Sequence, residues 1–347
     1  MARAESELVF LGCYTPQGGG RGEGVVLARR DPVGGGLTVV GTAAVTESPS
    51  YLARHPRLPV LYAVNERRDG AVSAWRFDTD GALTPLAVRG TGGEEPCHLA
   101  VSPDGGHLFV ANYGSGSVAV HPLDDQGVPG ERSDVLRHAG HGADPDRQAG
   151  PHAHQVCPGA DSASLLVVDL GIDLVGRYRL DRATGRLTAT GEPLRLPAGT
   201  GPRHLARHPD GRRAYVAGEL DGTVTEIVFG ADGGLRAGAR VPASDRGGHV
   251  QPSGIAVGAD GRFLYLANRG VGTVTVFDLT DVDPRHLDEV ETGGEWPRQF
   301  AFAGSHLYVA DERAHQIRVF ALDPSTGVPR PCGEPVEVPS PTCVLPV

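Results

Sequence analysis

The chain has 347 residues, with 42 acidic side chains against 32 basic ones, so its formal net charge is −10. Apart from histidine every basic residue is an arginine, and the arginines are dispersed along the chain. Because nucleic-acid affinity depends on clustered cations, this composition argues against a nucleic-acid partner. The N-terminal sequence MARAESELVF has no apolar signal-peptide core, and no apolar run reaches membrane-spanning length, so we expect a cytoplasmic protein with no membrane partner.

One phrase recurs along the chain: a Pro-led apolar strand, a short turn, and a second apolar strand ending in a polar residue. Six copies begin, in chain order, at Pro49, Pro96, Pro151, Pro202, Pro252 and Pro297. A seventh copy is split between the chain ends, with PTCVLPV (341–347) as its first half and LVFLGCY (8–14) as its second. Repeats of about 40–50 residues with several short strands each are typical of a β-propeller.

We therefore predict one all-β domain over residues 1–347. It is a seven-bladed β-propeller with four antiparallel strands per blade, and the C-terminal strand joins the N-terminal blade to close the ring. Pieces such as SPDGG, HPDGRR and GADGR supply the hairpin turns, and third strands such as GSGSVAVHPLD and RGVGTVTVFDL follow the repeated phrase.

An insertion interrupts the regular spacing before the Pro151 repeat. Its sequence, RHAGHGADPDRQAG (residues 137–150), is rich in Gly, Asp and His. This composition predicts a loop lying over one face of the ring. A lid and a plain surface excursion both remain open.

Two columns of residues vary while the surrounding repeat stays constant. The first column opens each inner strand: Ser50, Cys97, His154, Arg203, Ser253, Arg298 and Thr342. The second closes each second strand: Tyr14, Glu66, Tyr113, Leu170, Glu219, Arg269 and Glu312. The start of one hairpin strand and the end of the next lie at the same end, so we expect both columns to surround one mouth of the central channel.

Four residues of these columns, from blades four to six, are the predicted catalytic residues: His154, Arg203, Glu219 and Arg269. An imidazole, two guanidiniums and a carboxylate can together bind an anion and move a proton. Structural ion pairs between neighbouring loops would use the same residue types. We also predict substrate contacts for a second set: Glu66, Asn112, Asp169, Arg298 and Gln299.

Over nearly its whole length the sequence resembles the lactonase family of seven-bladed propellers, which includes bacterial propeller-type 6-phosphogluconolactonases and fungal carboxy-muconate lactonising enzymes. The matching motifs include, in order, LGCYT, AVNE, PCHLAVSPDG, FVANYGSGSV, GPHAHQV, VVDLG, GPRHLARHPDG, ELDGTV, ANRG and PRQFAF. The resemblance implies active-site residues at His154 (GPHAHQV), Arg203 (GPRH), Glu219 (AGELDG) and Arg269 (ANRG). The turn CPGADSAS and the pair Asp311–Glu312 depart from the family pattern, which leaves substrate selectivity open.

We predict a lactone hydrolase that needs no metal or other cofactor and works as a monomer or weak homo-oligomer. Its substrate would be a small anionic lactone, with 6-phosphoglucono-δ-lactone as the leading candidate. In this hypothesis Arg203 and Arg269 hold the anionic group and polarise the lactone carbonyl. Either Glu219 or His154 would activate water and later protonate the ring oxygen.

Three alternatives remain open. A muconate-type cycloisomerase would use the same arginines but transfer a proton at carbon without water. A calcium-dependent lactonase would need converging oxygens, for which the candidates are Asn65, Asn112, Asp169, Asn268 and Asp311. A non-catalytic binding or scaffold propeller would present an exposed apolar patch, which the regularly alternating third strands do not indicate.

Overall fold

The computed structural model describes residues 6–231 and 233–347. Within them the backbone forms seven antiparallel sheets and a single short 3-10 helix, Pro16–Gly18. No helix in this part of the chain is long and apolar enough to cross a membrane. Each sheet is one blade of the propeller, and the blades are numbered here from the N-terminus.

The strands of each blade are given from the central channel outwards. Blade 1 comprises Pro341–Pro346, Glu7–Cys13, Gly24–Arg30 and Leu37–Val45; blade 2 comprises Leu52–Arg54, Val60–Asn65, Ala71–Phe77 and Leu83–Gly90. Blade 3 comprises Pro96–Val101, His107–Asn112, Ser117–Pro122 and Asp134–Arg137; blade 4 comprises Ala153–Pro158, Ser164–Asp169, Leu174–Asp181 and Arg186–Ala189, with Leu194–Arg195 beside its third strand. Blade 5 comprises Pro202–Arg207, Arg213–Gly218, Thr223–Phe229 and Leu235–Pro242; blade 6 comprises Gln251–Val257, Phe263–Arg269, Thr273–Asp278 and Arg285–Glu291. Blade 7 comprises Pro297–Ala303, His306–Asp311, Gln316–Leu322 and Pro329–Pro331, with Val336–Glu337 beside its third strand.

The ring closes through the strand at the C-terminus. Pro341–Pro346 pairs antiparallel with Glu7–Cys13, placing Val9 opposite Pro346 and Phe10 opposite Leu345. The two chain ends therefore share blade 1, and both the split repeat and the predicted seven-bladed architecture are confirmed.

The hydrophobic core is divided into seven clusters, one between each pair of neighbouring blades. Alternate residues of a strand point to opposite faces of its sheet, and here each face is covered by the next blade. The second strands Val60–Asn65 and His107–Asn112 are consequently buried along their whole length. Apolar side chains thus hold the blades together, and the central channel is left to polar residues.

Tyrosine hydroxyls join several blades to the next one. Tyr62, Tyr265 and Tyr308 each donate a hydrogen bond of 2.6–2.8 Å to a glycine carbonyl in the outer turn of the following blade. The acceptor in blade 3, Gly127, has a φ of 75°, which a residue with a Cβ adopts only with strain. Glycine at this position therefore allows the hairpin turn to form and also places its carbonyl to accept the hydrogen bond from the neighbouring blade.

Candidate active site

A β-bulge at the start of most inner strands brings the first-column side chains to the channel. In blade 3, Pro96 pairs with Asn112 and His98 with Ala111, which leaves Cys97 as the extra residue. The corresponding irregularities in blades 4 to 7 fall at His154, Arg203 with His204, Ser253 with Gly254, and Arg298. Because a bulge re-aims side chains that regular pairing would place elsewhere, the variable residues of the repeat gather at one end of the ring.

These side chains surround a cavity of about 200 Å³ at the mouth of the channel. Nine of its lining residues come from the two sequence columns: Tyr14, Glu66, Cys97, Tyr113, His154, Arg203, Glu219, Arg269 and Arg298. The tenth, Arg147, comes from the inserted loop. The structure thus brings together all four predicted catalytic residues and two of the predicted substrate contacts, Glu66 and Arg298.

Glu219 lies at the centre of the positively charged side of this cavity. Its Oε1 accepts hydrogen bonds from Arg147 Nη2 at 2.6 Å and from Gln251 Nε2 at 3.0 Å. Its Oε2 accepts one from Arg269 Nη2 at 2.7 Å and lies 3.1 Å from Arg203 Nε. Burial alone would raise the pKa of this carboxyl, but the guanidiniums of Arg269, Arg203 and Arg147 hold it well below its usual range. Glu219 is therefore an ionised anchor for three arginines.

Arg269 and Arg203 differ in the number of hydrogen bonds that their guanidinium groups make to the protein. Arg269 also donates to two backbone carbonyls and lies 5.4 Å from the centre of the Trp296 ring. Arg203 is only 3% exposed, its Nη1 lies 3.4 Å from His204 Nδ1, and its Nε makes no hydrogen bond to the described residues. Burial, and then the charges of Arg269 and Arg298, lower the pKa of Arg203 to about 9, so it remains cationic at neutral pH.

The opposite side of the cavity is rich in carboxylates. Arg298 donates to the hydroxyl of Tyr14 and lies 3.6 Å from a carboxylate oxygen of Glu312 and 3.9 Å from one of Glu66. Glu66 accepts hydrogen bonds from Tyr14 at 2.7 Å and from Ser50. Two carboxylates therefore balance Arg298, whereas three arginines share the single carboxylate of Glu219. The cavity is positive on the side of blades 5 and 6 and polar but compensated on the side of blades 1, 2 and 7.

His154 stands between these two sides. Its Nδ1 lies 3.7 Å from the sulfur of Cys97, and its ring packs edge-on against Tyr113 and His204 with centroid distances of 5.5 and 5.2 Å. Burial, followed by the positive charge of Arg203, lowers the pKa of His154 well below its ordinary value. The imidazole is therefore neutral at physiological pH and able to accept a proton.

A layer of aromatic rings lies next to His154. His98 lies with its ring centre 4.2 Å from that of Tyr51 and 5.4 Å from that of His204. Both histidines are buried, and neither His98 Nδ1 nor His204 Nε2 has a hydrogen-bond partner among the described residues. Burial lowers the pKa of His98 to about 3, so this layer is uncharged at neutral pH and supports His154 without competing for protons.

Three predicted substrate contacts lie away from the cavity and serve the scaffold. Asn112 donates to Ser117 Oγ at 3.1 Å within blade 3. Asp169 accepts from the backbone of His152 and lies 2.6 Å from His138 Nδ1, which ties the inserted loop to blade 4. Gln299 accepts from the Val344 backbone at 2.7 Å and joins blade 7 to blade 1. Each of the three residues is adjacent in sequence to a residue of the two columns. Neighbouring residues of a strand point in different directions, so these side chains form hydrogen bonds within or between blades.

The candidate calcium ligands are engaged in the same way. Asn65 bonds to Thr46, Glu47 and Ser73, Asn268 to Thr273 and Thr275, and Asp311 to Thr292 and two backbone amides, all within or beside their own blades. Across residues 6–231 and 233–347, no group of three or more His, Cys, Asp or Glu side chains is arranged to hold a metal ion. The hydrogen bonds of these side chains therefore lie in the scaffold of the blades.

Arg147 is the cavity residue that sequence reasoning missed. Arg147 lies in the insertion, which has no counterpart in the other blades, so an alignment of the repeats does not identify it. The loop that carries it is firmly held: Gln148 is 1% exposed and donates to Leu170 O and Asp173 Oδ1, both at 2.8 Å. The only signal in the sequence is the insertion itself, which contains two arginines, Arg137 and Arg147.

Comparison with known proteins agrees with this arrangement. Residues 8–346 match the family described as "Lactonase, 7-bladed beta-propeller". The chain belongs to this lactonase family. A 6-phosphogluconolactonase of Bacillus subtilis is 32% identical over 346 residues, which covers 96% of this chain and 97% of the relative. The predicted family and enzyme class, a lactonase, are confirmed.

Solved structures of similar proteins extend over the same propeller. A protein of Bacteroides fragilis has a TM-score of 0.91 and 30% identity, and covers 100% of this chain and 99% of its own. The periplasmic gluconolactonase of Pseudomonas aeruginosa has a TM-score of 0.90 and 32% identity, with 99% of both chains covered. This lactonase thus shares its entire fold with proteins named for the opening of sugar lactones.

Proposed function

We propose that this lactonase hydrolyses 6-phosphoglucono-δ-lactone, without a metal ion, at the cavity around Glu219 and His154. The observation that carries the proposal is the convergence of three arginines on one carboxylate beside a neutral imidazole. In a protein of net charge −10, such a cavity selects a small anion. The name of the Bacillus subtilis relative supports the phosphorylated lactone as that anion.

The proposed reaction opens the ring by attack of water on the lactone carbonyl carbon. His154 takes a proton from the water through Nε2, since Nδ1 faces the thiol of Cys97. A C–O bond forms, the carbonyl oxygen becomes an oxyanion, and the imidazolium returns its proton to the ring oxygen as the ring C–O bond breaks. The products are an open-chain hydroxy acid and the neutral imidazole.

Arg203 is the group best suited to stabilise the oxyanion. It is buried, it stays cationic, and it lines the cavity beside Glu219. Preorganised donors of this kind typically contribute about 10²–10³-fold to the rate. Both carboxylate oxygens of Glu219 are engaged by Arg147, Gln251, Arg269 and Arg203, so we assign it the role of orienting the arginines.

The compensated side of the cavity matches the rest of a sugar lactone. The carboxylate of Glu66, which accepts the hydroxyl proton of Tyr14, offers further acceptor capacity at the cavity wall. Sugar hydroxyls can donate to this carboxylate, which an apolar ligand cannot do. The charge distribution therefore favours a polyhydroxylated anion.

The first experiment measures hydrolysis of freshly generated 6-phosphoglucono-δ-lactone by coupling the product to phosphogluconate dehydrogenase, with and without EDTA. We expect a rate far above the spontaneous one and no effect of the chelator. Inactivity with this lactone, together with activity on a muconate-type lactone, would replace the proposal with a cycloisomerase. Loss of activity in EDTA would contradict the metal-free mechanism.

The pH dependence of catalysis should reflect the protonation of the buried His154 imidazole. The pKa of His154 is well below its ordinary value of about 6.5, so the base is protonated, and activity lost, only at distinctly lower pH. We expect kcat/KM, corrected for spontaneous hydrolysis at each pH, to stay level from pH 8 down to about pH 6 and to fall only below that. Half-maximal activity at pH 6.5 or above would contradict a buried neutral His154.

A further inference from the structure

The inserted loop places one arginine at the rim of the cavity. Arg147 has a side chain that is 37% exposed, compared with 3% for Arg203 and 5% for Arg269. Its Nη2 donates to Glu219 at 2.6 Å and to the hydroxyl of Tyr113 at 3.4 Å. Both hydrogen bonds that its side chain makes to the described residues come from Nη2, which leaves Nε and Nη1 for a ligand.

The loop is constructed to hold Arg147 in place. The backbone amide of Arg147 donates to Asp144 Oδ1 at 3.0 Å, and Gln148 accepts from the amides of Ala143 and Asp144 at 2.9 and 3.1 Å. At the start of the loop, His138 lies between Asp169 at 2.6 Å and the Tyr178 hydroxyl at 2.9 Å. These contacts identify the loop as a fixed wall of the site, and they do not resemble those of a mobile lid.

Charge pairing separates the cavity arginines into two kinds. Arg298 is balanced by two carboxylates, and Arg269 is held by Glu219 and two backbone carbonyls. Arg203 and Arg147 share the single carboxylate of Glu219 with Arg269, so this side of the cavity keeps a net positive charge, with Arg203 deep in the cavity and Arg147 at its rim. A ligand that binds to both arginines has, at one end, an oxygen that becomes negative during the reaction and faces Arg203. At its other end it carries a permanent anion that faces Arg147.

We propose that Arg147 is a specificity-determining residue that binds the terminal phosphate of the lactone, while Arg203 faces the carbonyl. This inference rests on the proposed function and deepens it. The phosphate bonds to Nε and Nη1 of Arg147, and Glu219 keeps its contact with Nη2. The inserted loop thereby makes the enzyme select phosphorylated over unphosphorylated sugar lactones.

The test compares wild type with Arg147→Gln on 6-phosphoglucono-δ-lactone and on glucono-δ-lactone. A charge-assisted hydrogen bond corresponds to about 10- to 100-fold in binding. We expect the ratio of kcat/KM for the phosphorylated over the unphosphorylated lactone to fall at least about 10-fold, mainly through KM. Arg147→Lys should recover part of the ratio, and Arg137→Gln, which changes an exposed arginine at the start of the loop, should leave it as in wild type.

A purely structural role of Arg147 predicts a different result. If it acted only by supporting Glu219, Arg147→Gln would slow both lactones equally and leave the ratio unchanged, which would overturn the inference. Calorimetric binding of 6-phosphogluconate and gluconate gives a second readout that needs no turnover. A wild type that binds 6-phosphogluconate but hydrolyses neither lactone would refute the proposed function alone, whereas equal binding of 6-phosphogluconate by wild type and Arg147→Gln would refute the role of Arg147.

Discussion

Replacing His154 with Gln is expected to lower kcat on 6-phosphoglucono-δ-lactone by about 10²–10⁴-fold, the usual contribution of a general base. The glutamine amide can fill the space and form hydrogen bonds but cannot accept a proton from water. Because His154 makes no ion pair with the described residues, its loss removes chemistry without leaving a buried charge unpaired. Steady-state kinetics after subtraction of the spontaneous rate measures the effect.

Two measurements decide whether the loss is catalytic. Thermal unfolding of His154→Gln should resemble that of wild type, which shows that the propeller is intact. His141→Gln changes an exposed histidine of the inserted loop and should keep wild-type kcat. Activity of His154→Gln within a few-fold of wild type would refute this histidine as the base.

Replacing Glu219 with Gln is expected to damage both stability and catalysis. The substitution leaves the guanidiniums of Arg269 and Arg203 buried without their carboxylate. Breaking a buried ion pair by removing one partner typically costs about 3–5 kcal/mol of unfolding free energy. Because Arg203 would no longer be oriented towards the carbonyl, we also expect kcat/KM to fall by about 10²–10³-fold.

Denaturant unfolding and kinetics at several pH values test this prediction. The pKa of Glu219 is lower in the folded than in the unfolded protein, so its stabilising effect is present above about pH 4.3 and is lost as the pH falls towards the folded value. The stability difference between wild type and Glu219→Gln should therefore persist from pH 8 to pH 5. Glu226→Gln is a matched control, since Glu226 is buried in the same blade and takes part in none of the ion pairs among the described residues. Equal losses in both variants would contradict an anchoring role specific to Glu219.

The repeated pattern of the sequence is enough to predict the architecture and most of the cavity wall. Each blade buries the same alternating pattern against its neighbours, so the repeat predicts seven equivalent sheets, and the split copy predicts how they close. Within such a scaffold, equivalent positions occupy equivalent places around one axis. The repeat therefore predicts that residues as distant as Glu66 and Arg298 lie at one mouth of the channel.

Which of these side chains pair with one another, and which remain available to a ligand, is visible only in the folded protein. Asn112, Asp169 and Gln299 lie next to the columns in sequence, yet hydrogen bonds within and between blades hold their side chains in the scaffold. Arg147 belongs to a loop without periodicity, and its position depends on long-range contacts of its neighbour Gln148. Periodic burial specifies where strands lie, but charge pairing depends on distances of a few ångströms between segments far apart in the chain, which no repeat encodes.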